Sequence, residues 1–237
     1  MRAVFLSLIA LFFVALFVFP TPAQAKSSYS IALFGDSFID TMENMEPLRA
    51  ALKKRFPTTS FTLYNYGIGS QNAQMGLDRW NSDYNYKTRH YPSIVNLHPD
   101  IIILGSFAYN PFAPYNRDQH WQTLQKLQQQ AKNTGADVYQ LAEIAPLADN
   151  FGKGPNGVNW PASRARDHAG HITEQLENAI FLAKDHSKIP LINAYFPSRV
   201  SGRFGDGTYT EPNDGIHPSL TGHKFMADLI AAKIRLR

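Results

Sequence analysis

From Tyr29 onward, two kinds of apolar pattern alternate along the chain. Short apolar runs bounded by turn residues predict strands, and apolar positions recurring every three or four residues predict helices. Residues 29–34 form the first run, and a helix follows over 46–56, closed by Pro57. A second strand is expected at 61–65, a short helix at 71–80 and a buried strand at 101–104. Trp121, Leu124, Leu127 and Ala131 then mark a helix that stops near Gly135, and residues 136–141 a strand. Ile172, Leu176, Ile180 and Ala183 define a long helix, 190–195 a last strand, and Phe225 to Ile234 the closing helix, opened by Pro218. Strands alternating with helices predict a mostly parallel sheet covered on both faces. In such sheets ligands sit outside the carboxyl ends of the strands. Two Gly-, Asn- and Pro-rich connections, 148–161 and 197–218, interrupt the rhythm, and long loops of this kind are often binding segments.

The start of the chain does not fit that alternation. Arg2, an apolar run from Ala3 to Phe19 and the Ala23-Gln24-Ala25 site predict a signal peptide over 1–25, cleaved after Ala25. The alternative is an uncleaved anchor, because about 17 apolar residues just span a bilayer. With cleavage, no integral membrane segment remains, and residues 26–237 form one domain of a secreted or extracytoplasmic protein. The chain has no cysteine, so disulfides, thiolate chemistry and Cys-based zinc sites are excluded. Its formal charge of +4 is mild and scattered apart from Lys53-Lys54-Arg55, which reads as a solvated helix end and not as a nucleic-acid surface.

Candidate chemistry begins at "FGDSF", where the first strand breaks at Gly35-Asp36-Ser37. A serine after a strand is commonly a helix cap. As a nucleophile it needs a base, and the base an orienting acid. Of the eight histidines, His217 stands apart in "NDGIHPSLTGH", with Asp214 three residues earlier on a Gly-containing turn. That spacing lets a carboxylate reach Nδ1 while Nε2 points outward as a general base. Donors for a developing oxyanion are offered by "GIGSQN" after the second strand and "GSFAYN" after the third.

The order of "FGDSF", a Gly-containing block, an Asn-containing block and "DGIHPSLTGH" resembles the SGNH hydrolase superfamily, the GDSL-type esterases and lipases, over nearly all of residues 30–229. The resemblance implies a flavodoxin-like three-layer α/β/α sandwich and ester hydrolysis without a metal or other cofactor. It makes Ser37 the nucleophile, His217 the base and Asp214 its orienter, with Ser37 also contributing to the oxyanion hole. Two blocks depart from the family pattern. In Gly-x-Ser-Gly register the last glycine is replaced by Ser70, with Gly69 just before it, so either N–H is available. In Gly-x-Asn-Asp register Phe107 takes the Asn position, and the amide arrives at Asn110. Asn110 fills the hole if the loop bulges, and otherwise that donor is missing.

Other features have plainer readings. Asp36 orders the turn, His223 is a packing or surface residue of the last helix, and His168 and His171, though spaced like metal ligands, belong to a solvated helix face. Phe112, Tyr115, Trp160 and Tyr209 are expected on the rim of the site. The expected function is a secreted serine esterase acting on a small-molecule or glycan ester, such as O-acetylated polysaccharide. The alternative is a catalytically silent carbohydrate- or envelope-binding protein on the same fold.

Overall fold

The computed structural model of the protein describes residues 26–237, so the expected signal peptide lies outside the described residues. Strands β1 (Ser28–Gly35), β2 (Ser60–Gly67), β5 (Ile101–Leu104), β6 (Asp137–Ala142) and β7 (Leu191–Asn193) form one sheet. Strands β3 (Tyr84–Tyr86) and β4 (Arg89–Tyr91) form a separate antiparallel hairpin. Every pairing in the large sheet is parallel, in the order β2-β1-β5-β6-β7. Counting only those strands this is 2-1-3-4-5, the flavodoxin-like doubly wound order.

Alternation along β1 explains the three layers. Ile31 and Leu33 face one core with Leu48 and Leu52 of α2 (Glu46–Arg55) and Met226 and Ile230 of α8 (Leu220–Lys233). Ala32 and Phe34 face the other, with Leu124, Leu127 and Ala131 of α5 (Arg117–Asn133). A sheet buried on both sides needs apolar residues at successive positions, which is why β1 and β5 read as unbroken apolar runs. Two short helices, α3 (Ala73–Asp78) and α4 (Ile94–Leu97), lie between β2 and β5, and the long helix α6 (Ala162–Phe181) runs on into a π-helical turn, Leu182–His186.

Several boundaries differ from expectation. The last strand is only three residues long, because Tyr195 opens a short helix, α7 (Tyr195–Ser198). Ser219, not Pro218, caps α8, its hydroxyl accepting from the Gly222 N–H at 3.2 Å. The hairpin was not anticipated at all: its apolar content is Tyr84, Tyr86 and Tyr91, packed on one another and on Tyr66 and not on the sheet's own pattern. Among the described residues no helix is long and apolar enough to cross a membrane.

Candidate active site

At the switch point between β1 and β5 the chain leaves the sheet in opposite directions and opens a crevice at the strand ends. Ser37 enters that crevice as the first residue of α1 (Ser37–Asp40). Ser37 is not the helix cap. Asp36 is, its Oδ1 accepting from the Phe38 N–H at 3.0 Å. The turn is held from below. Asn65 donates to the carbonyls of Ile39 and Glu43 at 2.9 and 3.0 Å, closing the far end of α1. Arg79 donates to the carbonyls of Gly35 and Tyr66 at 2.9 and 2.8 Å, joining the ends of β1 and β2. Gly67 is obligatory here, since a Cβ on it would lie 2.1 Å from the Asp40 backbone nitrogen. Burial lowers the Arg79 guanidinium to about 10, which leaves it cationic at neutral pH.

The block after β5 bulges. Phe107 takes a left-handed backbone conformation (φ 58°), and its fully buried ring packs edge-on to Phe34 at 5.8 Å, in the core beneath the site. The bulge carries Asn110 to the crevice, where its Nδ2 donates to Asp36 Oδ2 at 3.2 Å. Burial pushes the Asp36 carboxyl up to about 6, against the opposing pull of the Phe38 N–H, the Asn110 amide and His217. In the block after β2, Ser70 is left-handed (φ 60°), the conformation a glycine in that register adopts without cost. Among the described residues none accepts a hydrogen bond from the backbone N–H of Ser37, Gly69 or Ser70.

On the opposite side, Asp214 Oδ2 lies 2.7 Å from His217 Nδ1. Asp214 Oδ1 also accepts from the Ile216 and His217 N–H groups at 2.8 and 3.0 Å, so one carboxylate closes the turn and orients the ring. Partial burial opposes its ionisation, but these bonds hold it below the usual carboxylate range. The two long loops are stitched together: Gly152 N–H donates to the Gly215 carbonyl at 3.0 Å and Asn156 N–H to the Asn213 carbonyl at 2.8 Å. Gly215 (φ 67°) sits so close that a Cβ would meet the Lys153 carbonyl at 2.5 Å.

Ser37, Gly69, Ser70, Asn110 and His217 line one cavity of about 600 Å³. Its far wall is Phe151, Val158, Trp160 and His168. Of the four aromatics expected on the rim, only Trp160 faces it. Phe112 is buried in the second core, Tyr115 stacks on His171 at 3.6 Å, and Tyr209 stacks on Phe225 at 4.3 Å. His168 and His171 therefore point to different surroundings, the first into the cavity wall and the second onto Tyr115. Burial lowers the His168 imidazole to about 4, leaving it neutral. His223 is half-buried in α8, its Nδ1 without a partner among the described residues. Sequence reasoning missed the hairpin's contribution: Lys87 at its tip and Arg89 both pair with Asp40 at the end of α1, Lys87 at 2.8 Å. It also missed Arg79 and Glu143, neither of which stands in any motif.

A parallel 2-1-3-4-5 sheet with serine, histidine and a cluster of free N–H donors at its carboxyl edge defines an α/β hydrolytic scaffold. The chain belongs to the family of GDSL-like lipases and acylhydrolases, whose model matches residues 31–230, and is thus an ester-hydrolysing hydrolase. Among solved structures it is similar to a GDSL-like lipase from Bacteroides thetaiotaomicron, at 20% identity and a TM-score of 0.61, covering 86% of each chain. A lipase/acylhydrolase from Enterococcus faecalis matches at 17% identity and a TM-score of 0.64, over 88% of this chain and 97% of that one. An acetyl xylan esterase matches at 17% identity and a TM-score of 0.62, over 87% and 100%. No curated protein matches the sequence.

Proposed function

We propose that the protein hydrolyses carboxylic esters through an acyl-enzyme on Ser37. The observation that carries this reading is His217, held by Asp214 at 2.7 Å, in the wall of the cavity that Ser37 also lines. Ser37 Oγ attacks the ester carbonyl while His217 Nε2 takes its proton, and Asp214 holds the ring in the required tautomer. The oxyanion is received by the Ser37 N–H, the Ser70 or Gly69 N–H, and the Asn110 amide. Collapse expels the alcohol, protonated by His217. A water activated by the same base then releases the acid and restores Ser37.

For the alcohol portion we favour an O-acetylated glycan. Trp160 offers an aromatic surface and His168 a neutral imidazole to ring hydroxyls, and a structural neighbour is named an acetyl xylan esterase. The amino-terminal pattern supports export, with cleavage after Ala25.

Turnover of p-nitrophenyl acetate by the mature chain, lost in Ser37→Ala, is the expected result, and no turnover by the unmodified chain overturns the reading. Acetate release from acetylated xylan, reduced several-fold in kcat/KM by Trp160→Ala, supports the glycan assignment. A preference for long-chain esters refutes it. Amino-terminal sequencing of the exported protein, expected to begin at Lys26, tests the leader.

A further inference from the structure

One buried acid lies beneath this site with no part in the steps above. Glu143 follows β6 and is 1% exposed. Its Oε1 accepts from the Ser106 N–H at 2.9 Å, and its Oε2 is hydrogen-bonded to the Ser106 hydroxyl. Ser106 Oγ in turn accepts from the Ala108 N–H at 3.1 Å. The next residue, Ile144, accepts from the Tyr109 hydroxyl at 2.8 Å. The other side of Ser106 is held by His120, whose Nε2–H donates to the Ser106 carbonyl at 2.8 Å. Room for the Glu143 carboxyl comes from Gly105, where a Cβ would lie 3.0 Å from Oε1 and 3.3 Å from the Gly35 Cα. The acid therefore grips the bulged segment that ends in Asn110, under the turn that carries Ser37.

We propose that Glu143 is a positioning residue for the oxyanion amide: through Ser106 it fixes the 105–110 segment, and so delivers Asn110 to Asp36 and the cavity. The proposal rests on the hydrolase reading of Ser37 and Asn110. The charged and titratable groups around Glu143 are Asp36 from the β1 turn, Tyr109 from the bulge and His120 through Ser106, with Arg79, Tyr195 and His217 beyond them. Burial, and then the charge of Asp36, push the Glu143 carboxyl up to about 8. At neutral pH the acid is thus held protonated, and Asp36, the more acidic of the two, carries the negative charge that anchors Asn110. Above about pH 8 a second charge enters the same buried space and strains the grip.

Glutamine reproduces the protonated acid, accepting from the Ser106 N–H and donating to its hydroxyl; leucine reproduces only the bulk. Glu143→Leu should lower kcat roughly 10- to 100-fold, short of or equal to loss of the oxyanion donor itself, with KM within about twofold. Glu143→Gln should keep near-normal kcat at pH 7 and should not show the fall in rate above about pH 8 that the proposal expects of the unmodified enzyme. An unchanged kcat in the leucine variant, or an alkaline fall that persists in the glutamine variant, overturns the proposal. If Glu143→Leu does not fold, the pH profile of Glu143→Gln decides alone. Should the chain prove inactive, the hydrolase reading falls, and the side-chain amide resonance of Asn110 still tests Glu143. That resonance should titrate near pH 8 in the unmodified chain and be flat there in Glu143→Gln, and equal titration in both overturns the proposal.

Discussion

The two halves of the site are built in opposite ways. The His217 half is local: a carboxylate three residues away closes its own turn and orients the ring, and both side chains remain partly exposed, at 29% and 20%. The Ser37 half is assembled from distant segments, with Asn65, Arg79, Asn110 and Glu143 converging under one four-residue helix. A local turn can lose its function without losing the fold. A half built from buried, interlocked groups cannot be altered so independently.

The largest expected effect tests the local half. His217→Ala should reduce kcat by at least about 10³-fold, and Asp214→Asn by up to about 10⁴-fold through the wrong imidazole tautomer. Because the pair sits on a surface turn, His217→Ala should leave the melting temperature within a few degrees of the parent. A large drop in Tm, or inactivation by His223→Ala with His217→Ala mild, breaks the contrast.

Asn110→Ala comes next, on the assembled side. On the proposed reading it removes one oxyanion donor, which should lower kcat by roughly 10²–10³ with little change in KM. It also removes a bond to a buried carboxylate, so a measurable fall in stability should accompany it, unlike the histidine variant. Loss of stability with kcat intact would leave Asn110 as a turn residue before Pro111.

This difference also decided what the sequence disclosed. Strand runs in β1 and β5, the helical stripe of α5 and the Asp-x-x-His turn are short-range patterns, and each reads directly. Asn110 was legible only as an alternative, because the bulge that carries it depends on a left-handed Phe107, a conformation a bulky residue rarely adopts. Glu143 and Arg79 gave no signal, since the backbone groups they hold, at Ser106, Gly35 and Tyr66, lie 13 to 44 positions away in the sequence. The rim was misread for the same reason: Phe112 and Tyr209 are aromatic loop residues, but the packing that buries or stacks them is tertiary.

A steric change sharpens the contrast without touching any polar group. In Gly67→Ala the new methyl must displace the Asp40 backbone, 2.1 Å away, and with it the helix that begins at Ser37. Overpacking of this kind costs about 1–3 kcal/mol. Stability and kcat should fall together, measured by denaturant unfolding and by p-nitrophenyl acetate turnover on the folded fraction. An alanine that leaves both unchanged would show that α1 is free to move and that the Ser37 half is not interlocked.

The smallest effect is the dependence of stability on pH, and it too separates buried groups from exposed ones. His120, His168 and His223 are each lowered to about 4 by burial, whereas the unfolded chain holds them near about 6.5. Between those values the unfolded state binds more protons, so these histidines make stability fall as pH drops from about 6.5 towards 4. Asp36 and Glu143 act in the opposite sense. Their folded values, raised to about 6 and about 8, mean that the folded state binds more protons above pH 4, so their contribution falls as pH rises. Three histidines outweigh two acids on the acid side, while above about pH 7 the acids outweigh them, Glu143 most of all. Thermal melts from pH 4 to 9 should therefore peak between about pH 6.5 and 7 and decline on both sides. His120→Asn should flatten the acid limb and Glu143→Gln the alkaline one, each leaving the other limb in place. If Glu143→Gln melts with the parent's alkaline decline, Glu143 does not hold its proton in the folded chain, and the interlocked half has another source of its pH sensitivity.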